Sequence, residues 1–390
     1  MPEIAEVARV VHYLRKNLVG KTLAVVKAPD DAIVFGKVST SGPAFQKAMT
    51  GKKVLDANQQ GKYFWFAALV PLIISSPPHP VFHLGMTGWI HIRGEPTGHY
   101  RPKETKEDEE WPPKFWRFIL ETDSKPKVEA AFVDARRFGR VRLVDCAAED
   151  IRNTTPLNEN GPDPVIDKDI LTAEWLQTKI SSKRVPIKSL LLDQAVISGL
   201  GNWVTDEVLY NAKLHPEQYS NTLSSEQIKQ LHKSILYICQ TAVDLLADSS
   251  KFPEEWLFNH RWGKSKTKAP ITLPNGAEMI KLTVGNRTSC VVPSVQKNIV
   301  ELPAEEKKNS INGAEDADSE KESKPRANAS KKRKAVVVKA IKEEEELAED
   351  EPKGKAKKAK STPKTKVGQV KIEETPSEGR RRSTRVPKTK

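Results

Sequence analysis

Cysteine is scarce in this sequence: three residues, Cys146, Cys239 and Cys290, are spread over 390 positions. None are spaced as a CxxC knuckle, and an odd, sparse set builds no disulfide framework. A reducing compartment and no structural metal are therefore expected. Long apolar runs are missing as well. The most apolar stretch, Tyr63 to Ile74, contains Pro71 and falls well short of the ~20 residues that a spanning helix needs. The start, MPEIAEV, is acidic and lacks the basic region of a secretion signal. Neither a membrane nor export is expected. Aromatic residues also run out: the last Phe is Phe258, the last Trp is Trp262, and none of the three types follows Glu301. No internal repeat is present.

Charge is abundant, with 64 Lys plus Arg against 51 Asp plus Glu, a formal +13. That balance favours a polyanionic partner, nucleic acid and membrane surface alike. Residues 301–390 carry 25 basic and 18 acidic groups, net +7. Without aromatics they cannot bury enough apolar surface to offset their ordering entropy. This segment is read as a disordered tail. Its blocks, KKRK at Lys331–Lys334, EEEE at Glu343–Glu346 and RRRSTR at Arg380–Arg385, suit nuclear import or a DNA-tethering arm. A generic solubilising tail is the plain alternative. We expect a nuclear protein whose tail binds DNA or the import machinery.

The remainder divides in two. Residues 20–145 hold short β-branched and aromatic runs broken by Gly, Pro and Asn: Lys62–Leu69, Val81–Leu84, Trp89–Arg93, Phe115–Glu121, Val128–Val133 and Arg140–Val144. Such spacing predicts a sandwich or barrel. Residues 170–250 show helical periodicity, as at Leu231, Ile235, Ile238, Ala242 and Leu245. The Pro-rich stretch Thr155–Pro164 is read as the linker. Glu278–Val292 follows Pro274-Asn275-Gly276, contains a Gly285-Asn286 turn, and predicts a β-hairpin.

Residues 2–18 predict an amphipathic helix, with Ile4, Val7, Val10, Val11, Leu14 and Leu18 on one face. Pro2 lies where a missing N–H costs nothing, and Glu3 and Glu6 fall where the helix dipole favours carboxylates. A well-capped helix accounts for all of this. A chemical reading stands beside it. Removal of Met1 would leave Pro2 as a free secondary amine with a pKa of ~8. Such an amine attacks electrophilic carbon to give a Schiff base, with Glu3 placed to supply a proton.

Further segments accompany that start in order: Gly61-Lys62-Tyr63, His83-Leu84-Gly85-Met86-Thr87-Gly88, Asp134-Ala135-Arg136-Arg137-Phe138-Gly139 and Ser198-Gly199-Leu200-Gly201-Asn202. Together with Pro2 and Glu3 they resemble the formamidopyrimidine-DNA glycosylase family of base-excision repair enzymes over residues 2–297. The resemblance implies an α+β chain. An N-terminal β-sandwich flanked by helices (1–150) precedes a helix–two-turn–helix domain (151–264) and a β-hairpin finger (265–300), and the tail follows. It implies a monomer acting on damaged double-stranded DNA, with the damaged nucleotide turned out of the stack.

By this resemblance Pro2 matches the nucleophile that attacks C1′, and Glu3 the acid that assists sugar opening. Lys62 matches the lysine assigned to proton donation in β-elimination and to phosphate contact. Met86, Arg136 and Phe138 match the side chains that fill the void. A thioether and an aromatic ring wedge into a stack, and a guanidinium pairs with an orphaned base edge. Arg137 matches a phosphate contact, and Lys114 is a further candidate. Asn202 follows the two-turn loop, where glycines and free helix N–H groups meet phosphate. Glu207 matches an acidic residue below the site, with a helix-surface role as its alternative. Lys183, Arg184 and Lys188 form a basic cluster, read either as phosphate neutralisation or as a solvated face. Bacterial members bind zinc through two CxxC pairs in the finger. Here a lone Cys290 excludes that ligand set, and residues 279–296 resemble the zincless finger of plant and fungal members. Arg287, beside the turn, matches the arginine that contacts phosphates and assists δ-elimination.

No metal or organic cofactor is implied. The stretch 247–262 is short where bacterial members carry a lesion-capping loop, which favours formamidopyrimidines and hydantoins over 8-oxoguanine as substrates. A non-catalytic reader of damaged or distorted DNA, or a chromatin protein bound mainly through its tail, are the alternatives. Neither needs an N-terminal proline.

Overall fold

The periodic run at the N-terminus forms helix α1, Ile4–Leu18, which begins two residues later than the predicted span 2–18. Glu3 is the N-cap, and with Glu6 it closes a capping box in which the Glu3 N–H donates to Glu6 Oε2 at 2.9 Å. The apolar face of α1 is divided between two cores. Val7, Val10, Val11, Leu14 and Leu18 pack into one. Ile4 and Ala5 belong to the other, 180 or more residues away in sequence from most of their neighbours. The computed structural model describes residues 2–69, 77–98, 110–262 and 271–297, all within one compact unit. The expected tail and residues 99–109 lie outside the described residues.

Two antiparallel four-stranded sheets follow. One runs β1 (Leu23–Lys27), β6 (Trp116–Thr122), β7 (Glu129–Val133), β5 (Trp89–Ile92). The other runs β2 (Lys53–Gln60), β3 (Tyr63–Leu69), β4 (His79–His83), β8 (Arg140–Val144). The core carries a stack of rings from Phe45, Phe64, Phe82, Phe118 and Phe132. Centroids lie 4.9 Å apart for Phe64–Phe82 and 5.4 Å for Phe118–Phe132, distances at which aromatic pairs add to simple burial. Strand β2 and helix α2 (Gly42–Met49) are among the elements not singled out in the sequence. Strand β2 reads KVLDANQQ, so its polar positions mask the pattern. Helix α2 opens on Gly-Pro, which reads as a turn, yet Ser41 caps it and Pro43 sits in its first turn.

The second half contains α3 (Ala173–Ser181), α4 (Ile187–Leu191), α5 (Asn202–Asn211), α6 (Ser225–Asp244) and α7 (Leu257–Arg261). Helix α6 buries Leu231, Ile235, Ile238 and Ala242 of the predicted stripe, together with Ile228, behind a Ser224/Gln227 capping box, while Leu245 falls at its C-cap. The expected hairpin is β10 (Glu278–Val284) and β11 (Arg287–Val291), with a two-residue strand β9 (Ile271–Thr272) added to β10. A small cluster of Leu257, Leu273, Met279, Cys290 and Val292 covers it.

Thr155–Pro164, read as the linker, is packed rather than open. Leu157 is fully buried, Gly161 N–H donates to the Gln194 carbonyl at 2.8 Å, and Asp163 accepts from Gly61 N–H at 2.6 Å. The prolines break helix and strand there, but the backbone finds partners in both halves, with the Leu157 carbonyl accepting from Gln60 Nε2 at 3.3 Å.

Candidate active site

The site forms where α1 begins. Pro2 is buried ahead of Ile4, whose N–H donates to the Gly199 carbonyl at 3.1 Å. The Glu3 carboxylate lies against the first turn of α5: Oε1 accepts from Trp203 N at 3.1 Å and Oε2 from Val204 N at 3.0 Å. These are free amides at the positive end of a helix, an arrangement that favours an anion. Approach this close demands glycine at 201, because a Cβ there would stand 2.1 Å from Glu3 Cδ. Glu6 is fully buried and bonds Trp203 Nε1 at 3.1 Å. Burial, and then the neighbouring charge of Glu3, push its carboxyl up to about 7.

Lys62 enters from the β2–β3 turn. Gly61 adopts φ +57°, and any side chain on it would strike Ser198 and the Gly199 backbone at 2.6–2.7 Å. The turn is thus pressed onto the loop that holds the N-terminus. Lys62 is 9% exposed. Burial pushes its ammonium down to about 8, helped by the charge of Arg287 and opposed by Glu3 and Glu6. Pro2, Glu3 and Lys62 therefore meet in one buried group, and Arg287 lies within its electrostatic range. Arg287 follows a two-residue turn in which Gly285 and Asn286 both have positive φ, +57° and +62°. This is the backbone that a tight hairpin requires.

Met86, Arg136 and Phe138 also converge. Gly85, at φ +66°, packs so tightly on the Phe138–Gly139 backbone that a Cβ would sit 2.4 Å from Phe138 C. The Arg136 guanidinium stacks over the Phe138 ring at 4.8 Å. Asp134 organises this loop, a role its sequence context did not reveal. Fully buried, it accepts from Thr87 Oγ1 at 2.6 Å, Gly139 N at 2.7 Å and Arg136 N at 3.2 Å. Asp134→Ala would leave buried amides unpaired. It is expected to lower stability by about 3 kcal/mol, checked by denaturant unfolding.

The other expected residues are placed differently. Arg137 adopts φ +59° and binds Asp31 at 2.8 Å. Burial of Asp31 opposes its ionisation, yet bonds from Arg137 and from the Val34 and Ile33 amides hold its carboxyl down at about 2. Lys114 is exposed just before β6. Lys183 is exposed and paired with Asp193 at 3.0 Å, and Arg184 lies over the Tyr219 ring at 5.6 Å. Lys188 does not join them. It is fully buried and ion-paired with Asp206 at 2.7 Å, which rules out a solvated face or a phosphate contact for it. Asn202 donates its side-chain amide to the Thr288 carbonyl at 2.9 Å. Glu207 is not on the helix surface: it is 1% exposed and accepts from Phe258 N. Burial pushes its carboxyl up to about 8. Among the described residues no group of three or more His, Cys, Asp or Glu could hold a metal ion.

Comparison with known proteins matches residues 1–141 to the formamidopyrimidine-DNA glycosylase N-terminal domain and residues 161–254 to the H2TH domain of the same enzymes. The chain is 38% identical over 297 residues to formamidopyrimidine-DNA glycosylase of Arabidopsis thaliana, covering 76% of this chain and 71% of that protein. A Lactobacillus gasseri protein of the same name is 32% identical over 236 residues, 60% of this chain and 75% of its own. Among solved structures, Lactococcus lactis Fpg bound to DNA containing N7-benzyl-Fapy-dG superposes with a TM-score of 0.59 at 25% identity, over 76% of this chain and all of that one. The same protein bound to DNA with an abasic site gives the same values.

Proposed function

Since the chain belongs to the formamidopyrimidine-DNA glycosylase family, we propose that it is a nuclear base-excision repair glycosylase and AP lyase. It would remove oxidised bases, formamidopyrimidines and hydantoins first, from double-stranded DNA. The observation that carries this reading is the burial of Pro2 and Glu3 against the first turn of α5, with Lys62 beside them and Arg287 in electrostatic range. A pure DNA reader has no need to bury the Pro2 nitrogen, an amine once Met1 is removed, next to a carboxylate and a depressed lysine.

In this reading the Pro2 nitrogen lone pair bonds to C1′. The base leaves with the electrons of its C1′–N bond and takes up a proton. The C1′–O4′ bond opens, O4′ is protonated through Glu3, and an iminium joins Pro2 to C1′. Loss of the C2′ proton then expels the 3′ phosphate. A second loss, from C4′, expels the 5′ phosphate, and Lys62 and Arg287 meet the two departing anions. Met86, Arg136 and Phe138 fill the space left by the turned-out nucleotide, and Lys114, Arg137, Lys183 and Asn202 are candidate backbone contacts. The sandwich (1–150) and the helical domain (151–264) form the two jaws, with the finger at 265–300. The 301–390 tail would supply loose, salt-sensitive tethering and the nuclear address. The direct test is borohydride reduction on a duplex containing a formamidopyrimidine or hydantoin. A covalent adduct is expected, and its absence with Met1 removed would sink the enzyme reading.

The chemistry carries a pH signature. Pro2 must be unprotonated, so nicking of an abasic duplex rises with pH toward the amine pKa of ~8. Lys62 must be protonated, so the rate falls as pH passes about 8. A bell-shaped profile is expected. Lys62→Arg, which stays charged, should lose the alkaline limb. An unchanged limb in that variant would remove Lys62 from the proton-dependent step.

A further inference from the structure

A buried charge cluster lies beneath the hairpin, separate from the groups assigned above. Its centre is Asp206, on the inner face of α5 and 1% exposed. Oδ1 accepts from Lys188 Nζ of α4 at 2.7 Å. Oδ2 accepts from Arg261 of α7 and from the Cys290 N–H of β11 at 3.0 Å. Lys188 is fully buried and spends its other donors on β11, reaching the Thr288 carbonyl at 3.1 Å and Ser289 Oγ at 2.7 Å. Arg261 reaches the Thr288 carbonyl as well, at 3.3 Å. Three helices thus converge on residues 288–290, directly after Arg287.

The hairpin needs such a hold. Two strands alone are marginal in water, and the third strand here is only two residues long. Apolar packing resists separation but is indifferent to small sliding, whereas a hydrogen-bonded ion cluster accepts one alignment. The tip is fitted just as closely, since a Cβ on Gly285 would lie 2.4 Å from Ser189 Oγ of α4. Moving β11 by one residue would break every bond to Thr288, Ser289 and Cys290 and turn Arg287 to the opposite face.

We propose that Asp206, with Lys188 and Arg261, is a metal-free clip that positions Arg287 over the DNA backbone. These three are positioning residues and touch no substrate. The role rests on the reading of Arg287 as a phosphate contact.

The test is a double-mutant cycle on the full chain. Affinity is measured for a duplex carrying a stable abasic analogue, and wild-type trapping on a formamidopyrimidine duplex is run in parallel. Arg287→Ala and Asp206→Asn should each weaken binding by about tenfold, and the double variant should be no weaker than Arg287→Ala alone within about twofold. Should Asp206→Asn not melt cooperatively, the triple variant Lys188→Met, Asp206→Leu, Arg261→Met takes its place. Well-packed apolar groups of similar size can replace a buried ion triad without loss of fold. That variant should melt cooperatively yet bind at the Arg287→Ala level. Wild-type affinity in the variants, effects that multiply in the cycle, or no effect of Arg287→Ala would each overturn the clip. Trapping failure in the wild type would overturn the glycosylase reading while the binding cycle still judges the clip.

Discussion

With a Gly-Ser extension ahead of Pro2, borohydride trapping on an abasic duplex should fall by roughly a thousandfold or more, while affinity for that duplex changes only about threefold. The extension turns a secondary amine into an amide, whose nitrogen has no lone pair free to attack C1′. It leaves the charges of Lys62, Arg136 and Arg287 in place, so binding has little reason to change. Loss of binding in parallel with trapping would mean that the extension had disrupted the Glu3 cradle. Trapping that survived would move the nucleophile elsewhere, and Lys62, with its ammonium pushed down to about 8, would be the next amine to test.

The second large effect is expected at a residue with no chemistry of its own. Gly201→Ala places a methyl 2.1 Å from Glu3 Cδ and 2.4 Å from its Oε1. The backbone angles at Gly201 suit any residue, so the effect is one of space. Glu3 is 2% exposed and wedged between α1 and α5, and it can yield only by leaving the Trp203 and Val204 amides. Two charge-assisted bonds would be lost, and two helix-terminal donors would be left buried and unpaired. We expect destabilisation of about 3 kcal/mol by thermal unfolding, and base release slowed by about a hundredfold. Binding of an abasic-analogue duplex should weaken far less. Gly201→Ser should behave like Gly201→Ala, since both introduce a Cβ. Normal base release in either variant would show that the position of Glu3 does not matter to the chemistry.

What could be read from the sequence follows the range of the forces involved. The α1 stripe, the α6 stripe and most sandwich strands were legible because periodicity is local. The Gly285-Asn286 turn was legible because its backbone demands those residue types. Convergence of Pro2, Glu3 and Lys62 came from the resemblance, since nothing local joins positions 3, 62 and 203. Lys188 was misplaced for a related reason. Next to Lys183 and Arg184 it looks like a surface charge. Its burial depends on Asp206, Arg261 and Ser289, which approach only in the folded chain. Glu207 was left open between two environments and proved buried beneath Phe258. Asp134 was visible only as part of a motif, because the N–H groups it collects come from a loop whose path the sequence does not display. The packing of the Thr155–Pro164 linker was not legible because prolines announce a break in regular structure. They say nothing about whether the broken segment is packed.

The bonds from Trp203 and Val204 to Glu3 span 200 and 201 positions. During synthesis Pro2 is made well before α5, and the amides that cradle its neighbour follow roughly 10–40 s later at ordinary elongation rates. Until then the sandwich half can close around the lower part of α1, but Ile4 and Ala5 have no core to enter and Glu3 has no helix to cap. On the proposed mechanism, completion of α5, rather than exposure of the amine, would arm Pro2. A nascent chain stalled before residue 200 would carry that amine in an unassembled and chemically ordinary form.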